Sequence, residues 1–156
     1  SLFFARMSRA RKEIEEILGK FNGVLVTDGY KAYDYIKLRQ RCWVHLLREV
    51  KDIAQKDNEV KVQYERLKLL YEQLKELKIK PPNKEAIKKM KWVLGDIAIC
   101  LSAIRKGRKL ATLIQNGGND WFTALYYEGV PLENNHAERE LRPLVLLRKM
   151  IGCYRN

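Results

Sequence analysis

The stretch that decides the fold is "NGVLVTDGY", residues 22–30, where an apolar run ends at an Asp-Gly pair. Residues 24–26 form an uninterrupted apolar run, which is typical of a strand buried on both faces. Upstream, residues 8–19 begin with a serine in a cap position and end near Gly19, a pattern that predicts a helix. A further apolar run at residues 2–6 predicts a strand. Strand, helix and strand in close succession predict an α/β fold.

The middle of the chain predicts two long helices. Apolar residues recur there at alternating spacings of four and three, as they do along the buried seam between packed helices. Two prolines and an asparagine, residues 81–83, separate the two series and predict a turn. We therefore expect an antiparallel helical hairpin, inserted at about residues 57–106 into a single domain spanning residues 1–156. The two series are Val60, Tyr64, Leu67, Tyr71 and Leu74, followed by Ile87, Met90, Leu94, Ile97, Leu101 and Ile104.

Shorter elements flank these helices. Residues 31–36 predict a short helix, and residues 39–54 predict a brief extended piece that continues into an amphipathic helix. Residues 115–120, "QNGGND", predict a loop because of their paired glycines. Further on, Asn134 or Asn135 is placed to cap a short helix that ends before a proline.

Positive charge dominates the composition. The 156 residues include 31 Lys and Arg against 19 Asp and Glu, a net charge of +12, which favours a polyanionic partner such as nucleic acid. Lysine-rich helix faces are also common as plain solvated surface, so charge alone does not decide the partner. The sequence has no apolar run as long as a membrane span and no secretory pattern. Three widely spaced cysteines suit reduced thiols, and we expect a cytosolic protein.

Asp28 is the first candidate site residue. It follows the apolar strand, and sites in open α/β sheets assemble at the carboxyl ends of strands. An Asp-Gly pair is also a common turn. The residue alone therefore leaves both interpretations open.

Glu138 is the second candidate, in "ENNHAERELRP", residues 133–143. In one interpretation it complements the dipole of a short helix and supports an asparagine cap. In the other it is a hard oxygen ligand that faces Asp28 across a cleft and shares Mg²⁺ or Mn²⁺ with it. The cationic residues that follow suit contacts to phosphate: Arg139, Arg142, Arg148 and Lys149.

Cys42 and His45, in "CWVH", are residue types that bind zinc, and together they would make up half of a four-ligand site. A structural zinc needs about four ligands. The remaining candidates are scattered without matched spacing: His136, Cys100 and Cys153. We therefore expect no zinc, and we favour a packing role for Cys42 and Trp43, with His45 and Arg48 facing the site or its substrate.

Four pieces in order carry a resemblance to a known family. They are "GVLVTDGYKAY" (23–33), "QRCWVHLLREV" (40–50), the helical insertion and "VPLENNHAERELRPLVLLRKMIGCY" (130–154). Together they resemble the transposases of the insertion-sequence-66 type, which are DDE enzymes with a ribonuclease H-like fold. The resemblance implies a ribonuclease H-like mixed sheet interrupted by the hairpin. It also implies metal-dependent DNA cleavage and strand transfer with Mg²⁺ or Mn²⁺, on the DNA of a prokaryotic nucleoid, and it is compatible with a homo-oligomer.

The resemblance also implies roles for individual residues. Asp28 corresponds to the second catalytic aspartate and Glu138 to the final glutamate, both as metal ligands. Residues Asn134, Asn135, Arg139, Arg142, Arg148 and Lys149 match the motif around the glutamate, and residues Cys42, His45 and Arg48 match the motif after the aspartate.

The chain departs from the family pattern near its start. The first catalytic aspartate of the family lies on a strand upstream of those predicted here, and no acidic residue precedes Glu13. We therefore expect an incomplete catalytic domain that binds metal poorly and does not transfer strands alone. The alternatives are a catalytically inert DNA-binding or protein-interaction module derived from a transposase, and a nuclease of the same superfamily.

Overall fold

Helices make up most of the computed structural model, which describes residues 11–19, 21–79, 83–135 and 139–140. No helix in those ranges is both long and apolar enough to cross a membrane. The elements are α1 Arg11–Leu18, β1 Leu25–Thr27, β2 Arg39–Arg41, α2 Trp43–Ala54, α3 Asn58–Ile79, α4 Lys84–Ala103 and α5 Arg108–Gly117. Short 3-10 turns occupy Lys31–Tyr33, Gly118–Trp121 and Thr123–Leu125. The predicted strand at residues 2–6 lies outside the described residues.

The two strands pair in parallel. Val26 lies opposite Gln40, and Thr27 lies opposite Arg41, with the predicted short helix present between the strands as a 3-10 turn. The structure corrects one expectation, because residues 24–26 are half-buried and only Thr27 in β1 is buried. Among the described residues β2 is the one strand paired with β1, so less of the surface of β1 is covered than a doubly buried strand requires.

The helix α1 ends where the sequence predicts. Gly19 follows its last residue with φ +51°, a backbone conformation that glycine adopts without a steric penalty. The Gly19 N–H donates to the carbonyl oxygen of Glu15 at 2.8 Å.

The core lies among helices α2 to α5. Trp43, at the start of α2, is fully buried, and its ring centroid lies 6.1 Å from that of Tyr71, 5.4 Å from Trp121 and 6.0 Å from Phe122. The two predicted long helices are present as α3 and α4, and they pack against each other. Their antiparallel orientation, and a complete ribonuclease H-like core, stay predictions.

The prediction of a loop at residues 115–120 is wrong. Residues 115–117 complete helix α5, and a 3-10 turn follows directly. Gly117 allows this close succession because a Cβ atom there would collide with the indole of Trp121, whose Nε1 donates to the carbonyl of Ile114 at 2.9 Å. The helix ends at Gly117, because the next residue, Gly118, leaves the helical conformation with φ +46°. The first glycine therefore provides close packing, and the second terminates the helix.

Gln40 connects β2 to this turn region. Its side chain is fully buried, and its Nε2 donates to the carbonyls of Arg41 at 2.7 Å and Trp121 at 3.2 Å. Its Oε1 accepts the N–H of Ala124 at 2.7 Å. These bonds hold the segment that leads to residues 130–135 against the end of the strand pair.

Candidate active site

Asp28 lies exposed at the carboxyl end of β1. Its Oδ1 accepts hydrogen bonds from the Tyr30 N–H at 3.0 Å and the Thr27 hydroxyl at 3.3 Å. Gly29, with φ +96°, completes the turn and donates its N–H to the same hydroxyl at 3.1 Å. The Asp-Gly pair thus forms a turn and also presents a carboxylate at the strand end, so the two interpretations of the sequence are compatible.

Cys42 connects the Asp28 segment to the segment that precedes Glu138. Its N–H donates to the carbonyl of Thr27 at 2.8 Å. Its Sγ accepts the N–H of Asn134 at 3.3 Å, a contact between residues 92 positions apart. The residue before Asp28 and the residue four before Glu138 therefore both bond to Cys42, which is buried.

Two further hydrogen bonds hold the segment at residues 132–134. The N–H of Trp43 donates to the carbonyl of Leu132 at 3.0 Å. On the side of the long helices, the Tyr71 hydroxyl donates to Oε2 of Glu133 at 2.8 Å. Burial, together with the bond to Glu133, raises the pKa of the Tyr71 phenol, so the hydroxyl stays a donor at neutral pH. Helix α3 therefore helps to position the segment at residues 132–134.

The other predicted site residues fall into three groups. His45 is half-buried and Arg48 is exposed on helix α2, one turn apart. Asn134 and Asn135 are half-buried, and Arg139 is exposed; Asn135, Arg139 and Glu140 have helical backbone. The remaining predicted residues lie outside the described residues: Glu138, Arg142, Arg148 and Lys149.

Arg41 is a residue at this site that the sequence did not single out. It ends β2 beside Thr27, it is 7% exposed, and its guanidinium packs against Gly29. The only signal in the sequence is a charged residue in a strand next to the CWVH motif. That signal is weak, because arginines at strand ends are usually exposed.

Asp28 fits a divalent metal ion as one ligand. Its carboxylate is exposed, and its Oδ2 makes no hydrogen bond with the described part of the chain; carboxylate oxygen is the donor that Mg²⁺ and Mn²⁺ prefer. No group of three or more His, Cys, Asp or Glu residues within that part is placed to hold a metal. Two other carboxylates near the strands are already paired, since Arg39 contacts Asp34 and Asp120, each at 3.0 Å.

Comparison with protein-family models defines the class of the protein as a transposase. The matching model is described as the Transposase IS66 family, it covers residues 1–156, and the chain belongs to this family. The resemblance in the sequence motifs is thereby confirmed. Searches among curated proteins and among solved structures found no match.

Proposed function

We propose that this chain forms part of the catalytic core of a DNA transposase, with Asp28 and Glu138 as metal ligands. The observation that supports this proposal is a pair of hydrogen bonds at Cys42, whose Sγ accepts the N–H of Asn134 and whose own N–H donates to the carbonyl of Thr27. Asp28 and Glu138 are distant in sequence, yet Thr27 and Asn134, which precede them, both bond to this one buried residue. Such convergence at the end of parallel strands suits an assembled site.

The chain's own residues would do three things in this chemistry. The turn at Thr27 and Tyr30 fixes Oδ1 of Asp28, so that Oδ2 is presented at the strand end. The bonds at Cys42 position the start of the segment that carries Glu138. Arg139 and the cations after it neutralise phosphate charge. When bound, Mg²⁺ or Mn²⁺ supplies activation of a water or a 3′ hydroxyl and stabilisation of the leaving oxygen.

Binding of Mn²⁺ to the 156-residue chain, measured by electron paramagnetic resonance, tests whether Asp28 and Glu138 are both metal ligands. Asp28→Asn and Glu138→Gln are each expected to weaken binding about tenfold or more, because each removes a hard oxygen ligand. Asp52→Asn, on the exposed face of α2, is the matched control and leaves binding unchanged. If Glu138→Gln binds Mn²⁺ like the parent while Asp28→Asn does not, the shared site is refuted.

We further propose that the 156 residues alone do not cleave or transfer DNA. The reason is that two carboxylates do not fix the two ions that this chemistry uses. Incubation of the chain with element-end DNA and Mg²⁺ or Mn²⁺ should yield no product. Strand-transfer products would contradict this expectation, and cleavage without transfer would favour a nuclease.

DNA binding follows from the same proposal. Lys and Arg exceed Asp and Glu by twelve, and each neutralised phosphate releases counterions, so affinity should fall steeply between 50 and 200 mM salt. Fluorescence anisotropy with a labelled duplex measures this slope. Absent or salt-insensitive binding would remove the DNA part of the proposal. Salt-dependent DNA binding, together with a Mn²⁺ affinity that neither Asp28→Asn nor Glu138→Gln changes, would favour an inert DNA-binding module.

A further inference from the structure

Two arginines on β2 differ sharply in their partners. The Arg39 guanidinium contacts Asp34 and Asp120, each at 3.0 Å. Arg41 lies two residues later and is 7% exposed, yet its Nε is buried without a hydrogen-bond partner in the described ranges. Neither Asp28 nor any other described carboxylate forms an ion pair with it, although Asp28 is adjacent to Gly29, against which the guanidinium packs.

A buried cation without a partner is costly. Proteins normally pair buried guanidinium groups with carboxylates, because the desolvation of the charge is otherwise uncompensated. The parallel register places Arg41 beside Thr27, at the same strand end as Asp28. Gly29 makes room for the guanidinium, since a Cβ atom there would overlap Arg41 Nη1. Two independent observations therefore point to an anion site beside Asp28. Arg41 Nε is buried without a hydrogen bond to the described residues, and the missing side chain of Gly29 leaves the space that the guanidinium occupies.

We propose that Arg41 is a phosphate-binding residue, which donates to the non-bridging oxygens of a DNA phosphodiester bound beside Asp28. The planar fork of arginine matches a phosphate group and donates two parallel hydrogen bonds to it. The inference rests on the proposed function for the identity of the anion as DNA. In the protein without DNA, Arg41 Nε is buried and bonds to none of the described residues, which destabilises the fold, and bound phosphate removes that cost.

The test compares Arg41→Met with Arg39→Met, a matched substitution on the same strand. In anisotropy measurements, Arg41→Met should weaken DNA binding about tenfold and reduce the slope of log affinity against log salt by about 1. Its Tm should equal or exceed that of the parent. Arg39→Met should lower the Tm, because it leaves Asp120 without its cation, and should keep the salt slope.

Inorganic phosphate provides a readout that does not depend on DNA. Phosphate should raise the Tm of the parent and of Arg39→Met relative to chloride at equal ionic strength, and the shift should vanish in Arg41→Met. If Arg41→Met does not fold, Arg41→Lys replaces it, since lysine keeps the charge and loses the fork. The lysine variant should keep the slope and bind DNA more weakly.

The outcomes separate this inference from the proposed function. If the parent binds phosphate through Arg41 but shows no salt-dependent DNA binding, the DNA part of the proposed function is refuted and the anion site is supported. If the parent binds DNA while Arg41→Met keeps the full slope and loses Tm as Arg39→Met does, Arg41 is structural and the inference is overturned. An unchanged DNA affinity in Arg41→Lys would overturn the claim that the Arg41 guanidinium donates two parallel hydrogen bonds to the phosphate.

Discussion

Replacement of Gln40 by methionine tests how the strand pair is joined to the rest of the molecule. Methionine has a similar length and no hydrogen-bonding amide, so the cavity stays filled while three hydrogen bonds are lost. The lost partners are the N–H of Ala124 and the carbonyls of Arg41 and Trp121.

The expected loss of stability depends on which hydrogen bonds remain to each former partner of Gln40. The N–H of Ala124 loses its acceptor in a buried position, which costs about 1–3 kcal/mol. The carbonyl of Trp121 keeps the bond from Trp43 Nε1 at 2.7 Å, so its loss is small. The carbonyl of Arg41 adds about 1 kcal/mol. We expect Gln40→Met to lower the free energy of unfolding by about 2–4 kcal/mol.

Urea unfolding followed by tryptophan fluorescence measures this change, because the rings of Trp43 and Trp121 lie in the affected core. The control is Gln73→Met on the exposed face of α3, which should stay within about 0.5 kcal/mol of the parent. An unchanged midpoint in Gln40→Met, at an unchanged denaturant slope, would show that these hydrogen bonds do not hold β2 in place and would refute the reasoning.

Three further predictions use other contacts. Gly95→Ala, in α4 with open space around the added methyl, should stabilise the protein by about 0.5–1 kcal/mol, whereas Gly117→Ala should lower the Tm because its methyl meets the indole of Trp121; equal shifts would contradict this. Asn83→Ala removes a cap that accepts two backbone N–H groups and should cost about 1 kcal/mol in thermal unfolding. The backbone N–H of Val60, with other donors, holds the pKa of the Asp57 carboxyl below its ordinary value. The ionised Asp57 carboxylate therefore stabilises the fold above its unfolded pKa, and this stabilisation is lost as pH falls through the folded pKa. The Tm of Asp57→Asn should fall less on acidification than the Tm of the parent.

Local sequence pattern predicted four of the five helices that the structure describes, α1 to α4. The seams of α3 and α4, the stop of α1 at Gly19 and the turn at Asp28 depend on residues close in sequence, so periodicity and glycine placement were sufficient to predict them. The family motifs were also legible without coordinates, because they are short runs of consecutive residues. The glycine pair at residues 117–118 misled the prediction, since one glycine serves packing against Trp121 and not chain reversal.

The sequence alone therefore determined helices α1 to α4, the excess of positive charge and the identity of the acidic motifs, but it did not predict helix α5. Only the tertiary structure decided that Cys42 joins Thr27 to Asn134 and that Gln40 is buried against a turn 84 residues away. It also decided that Arg41 Nε is buried with no hydrogen bond to the described part of the chain. These features arise from contacts between distant segments. Their free energy depends on which groups the whole fold desolvates together, and no local pattern records that.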